Sequence, residues 1–195
     1  MKFKKLLMAV IAAGAALCAS SAYEWSECWR TYGGTLEEHD VILNAGVGLN
    51  GELFEKRKRK YFIPPTEVTF EVTQKIWVLP FGFGAFFGID GDCYTWKTDA
   101  YEYRLDLLNY SFGGLVNYHI ALLPEKLDVY AGSKLGLYTN QHKKRIRGLG
   151  SQKDTSSRFR YALHLGASWY STKLFGLNLE LGYPIFSKFG VTFKF

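Results

Sequence analysis

Phe189-Gly-Val-Thr-Phe-Lys-Phe195 is the stretch on which the reading of this chain turns. Its apolar residues occupy every second position. In an extended strand Phe189, Val191, Phe193 and Phe195 therefore share one face, and Gly190, Thr192 and Lys194 the other.

The same alternation recurs upstream. Val41, Leu43, Ala45, Val47 and Leu49 oppose Asp40, Asn44, Gly46, Gly48 and Asn50; Val68, Phe70 and Val72 oppose Glu67, Thr69, Glu71 and Thr73. Phe81, Phe83, Ala85, Phe87 and Ile89 oppose Gly82, Gly84 and Gly88. A fourth segment runs from Tyr101 to Ile120, and its apolar parity switches at Leu107-Leu108, which predicts a bulge or change of register there. Leu127 to Tyr138, Arg158 to Trp169 and Phe175 to Gly182 complete the set with the terminal segment, giving eight strands. Ile42, Phe86, Leu115 and Trp77 fall on the polar face and are exceptions to the pattern.

The connections alternate in length. Those near 50–65, 91–100, 140–157 and 183–188 are longer, whereas those near Leu79-Pro80, Leu123 to Lys126 and Ser171 to Lys173 are short. Short periplasmic turns and longer outer loops are the pattern of a membrane barrel with both chain ends in the periplasm. A lipocalin-type barrel alternates too, with its apolar face inward. The glycine-rich polar face, the aromatics near strand ends (Tyr101, Tyr103, Trp169, Tyr183, Phe195) and the terminal aromatic favour the membrane version.

The start of the chain agrees. Lys2, Lys4 and Lys5 precede an apolar stretch from Leu6 to Leu17 and a small-residue site, Ser20-Ser21-Ala22, so residues 1–22 read as a signal peptide cleaved after Ala22. The apolar stretch is shorter than the roughly 20 residues of a membrane helix. The formal charge is +6 over 195 residues, and three of those charges are the leader lysines, so +3 remains on the mature 173. No later apolar run is long enough for a helix, so a mature chain in a membrane must span it with strands. The expected organisation is a leader at 23–38 and a barrel at 39–195. In the leader, Trp25, Cys28, Trp29 and Tyr32 fall on one face of a short helix.

An all-β, eight-stranded antiparallel up-and-down transmembrane barrel is thus the expected fold, its leader read either as a short amphipathic helix or as an unstructured segment. On strand count, loop alternation and the Phe189 to Phe195 ending, residues 39–195 resemble the small outer-membrane barrels: the OmpA transmembrane domain and the OmpX, Ail and OmpW groups. The leading helix resembles that of the PagP acyltransferase. The resemblance implies an outer-membrane location, insertion by the barrel assembly machinery through the terminal strand, and a surface role in adhesion or envelope integrity. A narrow pore for small or hydrophobic solutes, as in the OmpW group, is the alternative.

Under this parity the inward acids are Asp40, Glu67, Glu71, Asp90, Glu102, Asp106, Asp128 and Glu180, and the inward bases Lys75, Arg104, Lys134, Arg158, Arg160, Lys188 and Lys194. The near balance predicts a paired plug, since an eight-stranded interior is just wide enough for side chains to fill. Glu71, Lys134, Arg160 and Glu180, with His164 on the same inward face, are its expected core.

Two runs are strongly basic: Lys56-Arg57-Lys58-Arg59-Lys60 in the first outer loop, and Lys143-Lys144-Arg145-Ile146-Arg147 in the third. Clustered positive charge at a membrane surface attracts polyanions, such as lipopolysaccharide phosphates, other anionic outer-membrane lipids or sulfated host glycans. An exported chain with no stacking platform near these runs is not expected to bind nucleic acid. The barrel is expected to be monomeric.

Cys28 and Cys93 are an even pair in an oxidising compartment. The topology nevertheless separates them by the apolar band of about 25 Å, well beyond the roughly 7 Å that a disulfide spans. No metal, cofactor or enzymatic role is expected. His39, His119, His142 and His164 make no short-range metal spacing, and His164 and Ser168 lie about 13 Å apart along a strand. A lipid A-modifying enzyme remains the least favoured alternative.

Overall fold

In the computed structural model the described residues are 36–50, 60–77, 79–98, 101–123, 126–146, 150–183 and 186–195. The expected signal peptide and leader helix with Cys28, as well as Lys56 to Arg59 and Arg147, lie outside them.

Eight antiparallel strands form one closed sheet among these residues. They are β1 (Val41–Asn50), β2 (Lys60–Ile76), β3 (Leu79–Lys97), β4 (Glu102–Leu123), β5 (Leu127–Ile146), β6 (Gly150–Tyr170), β7 (Phe175–Tyr183) and β8 (Phe186–Lys194). Each strand pairs with its sequence neighbours, and β8 returns to β1 with Leu43 opposite Phe193 and Val47 opposite Phe189. Phe195 completes the seam: its N–H donates to the Val41 carbonyl and its carbonyl accepts from the Val41 N–H, both at 2.9 Å. Closure leaves no sheet edge inside the barrel wall, which is what a bilayer demands of strands.

The barrel is inside-out relative to a water-soluble one. Among the described residues, sixteen polar or charged side chains are buried against seven hydrophobic ones, while Val47, Phe70, Phe87, Phe112, Leu135, Leu165, Leu179 and Phe189 are exposed. Period-two alternation produces this directly, because one parity faces a narrow lumen and the other faces outward. Water cannot be the solvent for so continuous an apolar wall.

Three corrections concern the outer half. The expected loops at 91–100 and 140–157 are mostly strand. The β3–β4 turn is confined to the residues between Lys97 and Glu102, and β5 and β6 run to Ile146 and from Gly150. Hence Lys143, Lys144 and Arg145 lie in β5 rather than in a loop, Lys60 opens β2, and Cys93 is a strand residue with a free thiol. The expected bulge at Leu107-Leu108 is absent: Leu107 opposes Asp92 and His142, and Leu108 opposes Gly91 and Gln141, without interruption. The irregularities are instead in β2, around Ile63, and between Ala121 and Leu123.

The physical reason is that strand parity continues while the surroundings change. Above the apolar band the outward face meets water or headgroups, so polar side chains occupy positions that lower down hold Phe112 and Val116. Glu102, Arg104 and Asp106, expected inward, therefore face outward, and Leu105 and Leu107 face inward. Trp77 is not in a strand at all. It sits in the β2–β3 turn at φ 58°, almost fully exposed.

Strand length is uneven, and this shapes the molecule. β7, β8 and β1 have 9, 9 and 10 residues, whereas β3 to β6 have 19 to 22. β7 stops pairing with β6 at Tyr183 opposite Leu163, so Gly150 to Ala162 of β6 rises beyond it. Strands β2 to β6 thus project past the low wall as a curved sheet.

Candidate functional site

Two constellations stand out: the lumen network and the outward face of the projecting sheet. Glu71, Asn117, His119, Asp128, Lys134, His164, Ser168, Asn178, Glu180 and Lys188 are all buried in the lumen. Alternate positions on six strands bring them there, with their stems anchored on the wall.

Toward the terminal end, His119 bridges two carboxylates. Its Nε2 lies 2.7 Å from Glu71 Oε1 and its Nδ1 lies 3.0 Å from both Asp128 oxygens. With a carboxylate at each nitrogen, the ring that satisfies both is the doubly protonated one, donating twice. Asn117 extends the chain by donating to Glu71 Oε2 at 2.7 Å, while its Oδ1 lies 2.7 Å from His164 Nε2.

Nearer mid-barrel, two lysines and two glutamates form a ring. Lys134 donates to Glu67 at 2.7 Å and to Glu180, and Lys188 donates to the same Glu67 oxygen at 2.7 Å and approaches Glu180 Oε2 at 3.1 Å. Tyr130 and Asn178 support it: Asn178 donates to the Tyr130 hydroxyl at 2.8 Å and to Ser168 at 2.9 Å, and the Tyr130 hydroxyl donates to Glu180 at 3.3 Å. Four carboxylates therefore face two ammonium groups and His119. Buried charges at this density are tolerable only when each is paired and hydrogen-bonded.

The network needs room, and glycine provides it. A Cβ on Gly82 would stand 1.6 Å from Glu71 Oε1, and one on Gly166 would stand 2.1 Å from the Tyr130 ring. Beside the charges Leu115, the cross-strand partner of Lys134, and Phe86 are both buried, with Phe86 against Tyr138 at 6.2 Å between ring centroids. At the other end Leu36, Ile42 and Tyr170 cluster, and Lys194 pairs with Asp40 at 3.4 Å. The exceptions Ile42, Phe86 and Leu115 are thus buried apolar side chains packed among the charged ones.

Of the residues expected at the core of the plug, Glu71, Lys134, His164 and Glu180 come together. Arg160 does not join them; it is exposed nearer the mouth, its guanidinium 5.9 Å from the Tyr138 ring centroid. Sequence reasoning weighed His119 only as a metal ligand. Its parity, shared with Leu115 and Asn117, was the signal that it points inward.

The projecting sheet carries the second constellation. On its outward face Asp106 takes Arg104 Nε at 2.6 Å and Arg145 Nη2 at 3.2 Å, one guanidinium per carboxylate oxygen. The hydrogen bond to Asp106, and then that carboxylate's charge, push the Arg104 pKa further up, so it remains a cation. Lys143 and Lys153 are paired neighbours on the same face and are exposed. Two adjoining hollows, of about 620 and 360 Å³, share Arg104 and Arg145 in their linings. On the inward face Trp96 stacks on Tyr103 at 5.2 Å between centroids, and Lys144 lies 5.4 Å from the Tyr103 ring centroid.

No protein-family model matches the chain, and no curated protein matches it. Among solved structures it is similar to Ail, the attachment invasion locus protein of Yersinia pestis, solved in complex with the heparin analogue sucrose octasulfate. That match has 12% identity and a TM-score of 0.50, over 82% of this chain and 100% of that one. It is also similar to the N-terminal β-barrel domain of Pseudomonas aeruginosa OprF, at 16% identity and a TM-score of 0.34, over 81% and 98% of the two chains. At such identities the likeness is one of fold. The chain has the fold of the small eight-stranded outer-membrane barrels.

Proposed function

We propose that the protein resides in the outer membrane as a sealed barrel, and that its work is done outside the lumen, in adhesion or envelope integrity, through basic surfaces that contact polyanions. The observation that supports this most is the ring of Lys134, Glu67, Lys188 and Glu180 in the lumen, joined by hydrogen bonds and buried at every member but the half-buried Glu67. An interior of this size has little space beyond its own side chains. A solute would have to break several buried pairs to pass, which disfavours a pore.

The reading involves no catalytic step. His164 and Ser168 are spent on Asn117 and Asn178 inside the plug. The basic residues Lys143, Lys144, Arg145 and Lys153 on the projecting sheet support a polyanion as ligand. So does the heparin analogue found with Ail, a property of that protein that makes sulfated glycans the first ligands to test.

Planar-bilayer recording of the refolded chain, run beside heparin and lipopolysaccharide binding, tests the reading. Silence with saturable polyanion binding is expected. Steady conductance abolished by altering Lys134 or Glu180 would overturn it in favour of the pore.

A further inference from the structure

The outward basic face of the projecting sheet continues the wall that carries the apolar band. Along β4 and β5 the outward pairs run Phe112 with Leu137, Tyr110 with Thr139, Leu108 with Gln141, Asp106 with Lys143 and Arg104 with Arg145. A ligand at Arg104 and Arg145 therefore stands directly above whatever lipid lies against Phe112. The lower hollow mixes Phe62 and Leu108 with Arg104, Lys143 and Lys153, whereas the upper one adds Thr95, Gly150 and Ser151 around the two arginines. From below upward, the surface passes from apolar to cationic to polar.

Height decides what can reach it. On β5 the outward residues from Leu127 to Leu137 cover ten residue steps, about 33 Å of strand, which at a tilt of about 40° gives about 25 Å, the height of the apolar band. Lys143 and Arg145 lie six and eight residues further, so they stand about 15 to 20 Å above the band edge by the same geometry. A phospholipid headgroup layer is only about 5 to 8 Å deep. Its phosphate cannot reach the arginines.

We infer that this face is a binding site for the anionic, multi-sugar headgroup of an outer-leaflet glycolipid, its phosphates or carboxylates held by Arg104, Lys143, Arg145 and Lys153 while its acyl chains lie along the wall below. Asp106 holds the two guanidinium groups beside one another, one on each carboxylate oxygen, and their remaining N–H groups are the donors for an oxyanion. Arg104, Arg145, Lys143 and Lys153 outnumber Asp106 on the face, and Glu102 is engaged by Lys97 at 3.6 Å. The inference rests on the membrane-barrel reading and names the ligand of that same basic surface.

The full chain is inserted into vesicles of phosphatidylglycerol alone, of phospholipid with lipid A lacking a core, or of phospholipid with lipopolysaccharide bearing a phosphorylated inner core. Co-purifying glycolipid is then counted by native mass spectrometry. Selective retention of the core-bearing lipid is expected, at least tenfold weaker in the R104Q/R145Q and K143Q/K153Q variants and unchanged in R158Q on the opposite face. Equal retention of lipid A without a core, or equal retention by the variants, would each overturn the site. Failure to insert into any vesicle would instead overturn the membrane reading beneath it.

Discussion

His119 on β4 reaches past β3 to meet Glu71 on β2, its Nε2 2.7 Å from the Glu71 Oε1. The path is open because the β3 residue between them is Gly82, where a Cβ would stand 1.6 Å from that same oxygen. A cross-lumen bond therefore depends on a residue that takes no part in it.

Gly82→Ala is expected to displace the Glu71 carboxylate and destabilise the barrel by about 1–3 kcal/mol, the range for forcing a methyl group into a packed interior. Urea unfolding in lipid vesicles, followed by tryptophan fluorescence, measures it. An unchanged midpoint would show that Glu71 does not occupy the position beside Gly82.

His119→Leu removes the cation between Glu71 and Asp128 and leaves two buried carboxylates without it. The expected cost is about 3–5 kcal/mol, as for one partner lost from a buried ion pair. A double-mutant cycle with Glu71→Gln should recover part of that loss through its coupling energy. Strict additivity of the two changes would refute the pairing.

Conductance follows from the lysine ring. Lys134→Ala and Lys188→Ala each leave Glu67 and Glu180 with one fewer ammonium partner, and the double variant opens the section that both side chains fill. Wild-type protein is expected to be silent in planar bilayers and the double variant to show small cation-selective openings. Large wild-type currents would contradict the plug.

Trp96→Ala strips the outer ring from the Trp96–Tyr103–Lys144 stack at the tip of the projecting sheet. An aromatic pair contributes about 0.5–1.5 kcal/mol beyond its burial. Hydrogen exchange should accelerate in the β3–β4 hairpin near Lys97 and Glu102, while the barrel wall around Leu135 stays protected. Loss of protection throughout would mean that the tip and wall unfold as one unit.

The sequence alone determined the strand count, the inward and outward parity of the wall and the closure of β8 onto β1, because a bilayer imposes one constraint on every strand. Residues must alternate with period two wherever lipid lies outside and polar groups inside. That is why Glu71, Lys134, His164 and Glu180 could be assigned to one interior from spacing alone. The logic fails where lipid ends. Beyond the band the alternation no longer reports orientation, so Arg104 and Asp106 looked inward, and strands up to Lys97 and Ile146 looked like loops. Only the tertiary structure decided that these segments stay paired, that Arg104 and Arg145 meet on Asp106, and that His119 reaches Glu71 past a glycine. The His119–Glu71 contact joins strands that are not adjacent in the sheet, and the Arg145–Asp106 pair depends on how far β4 and β5 stay in register, so no local pattern records them. They are set by barrel closure, strand stagger and the few ångströms that a missing side chain leaves free.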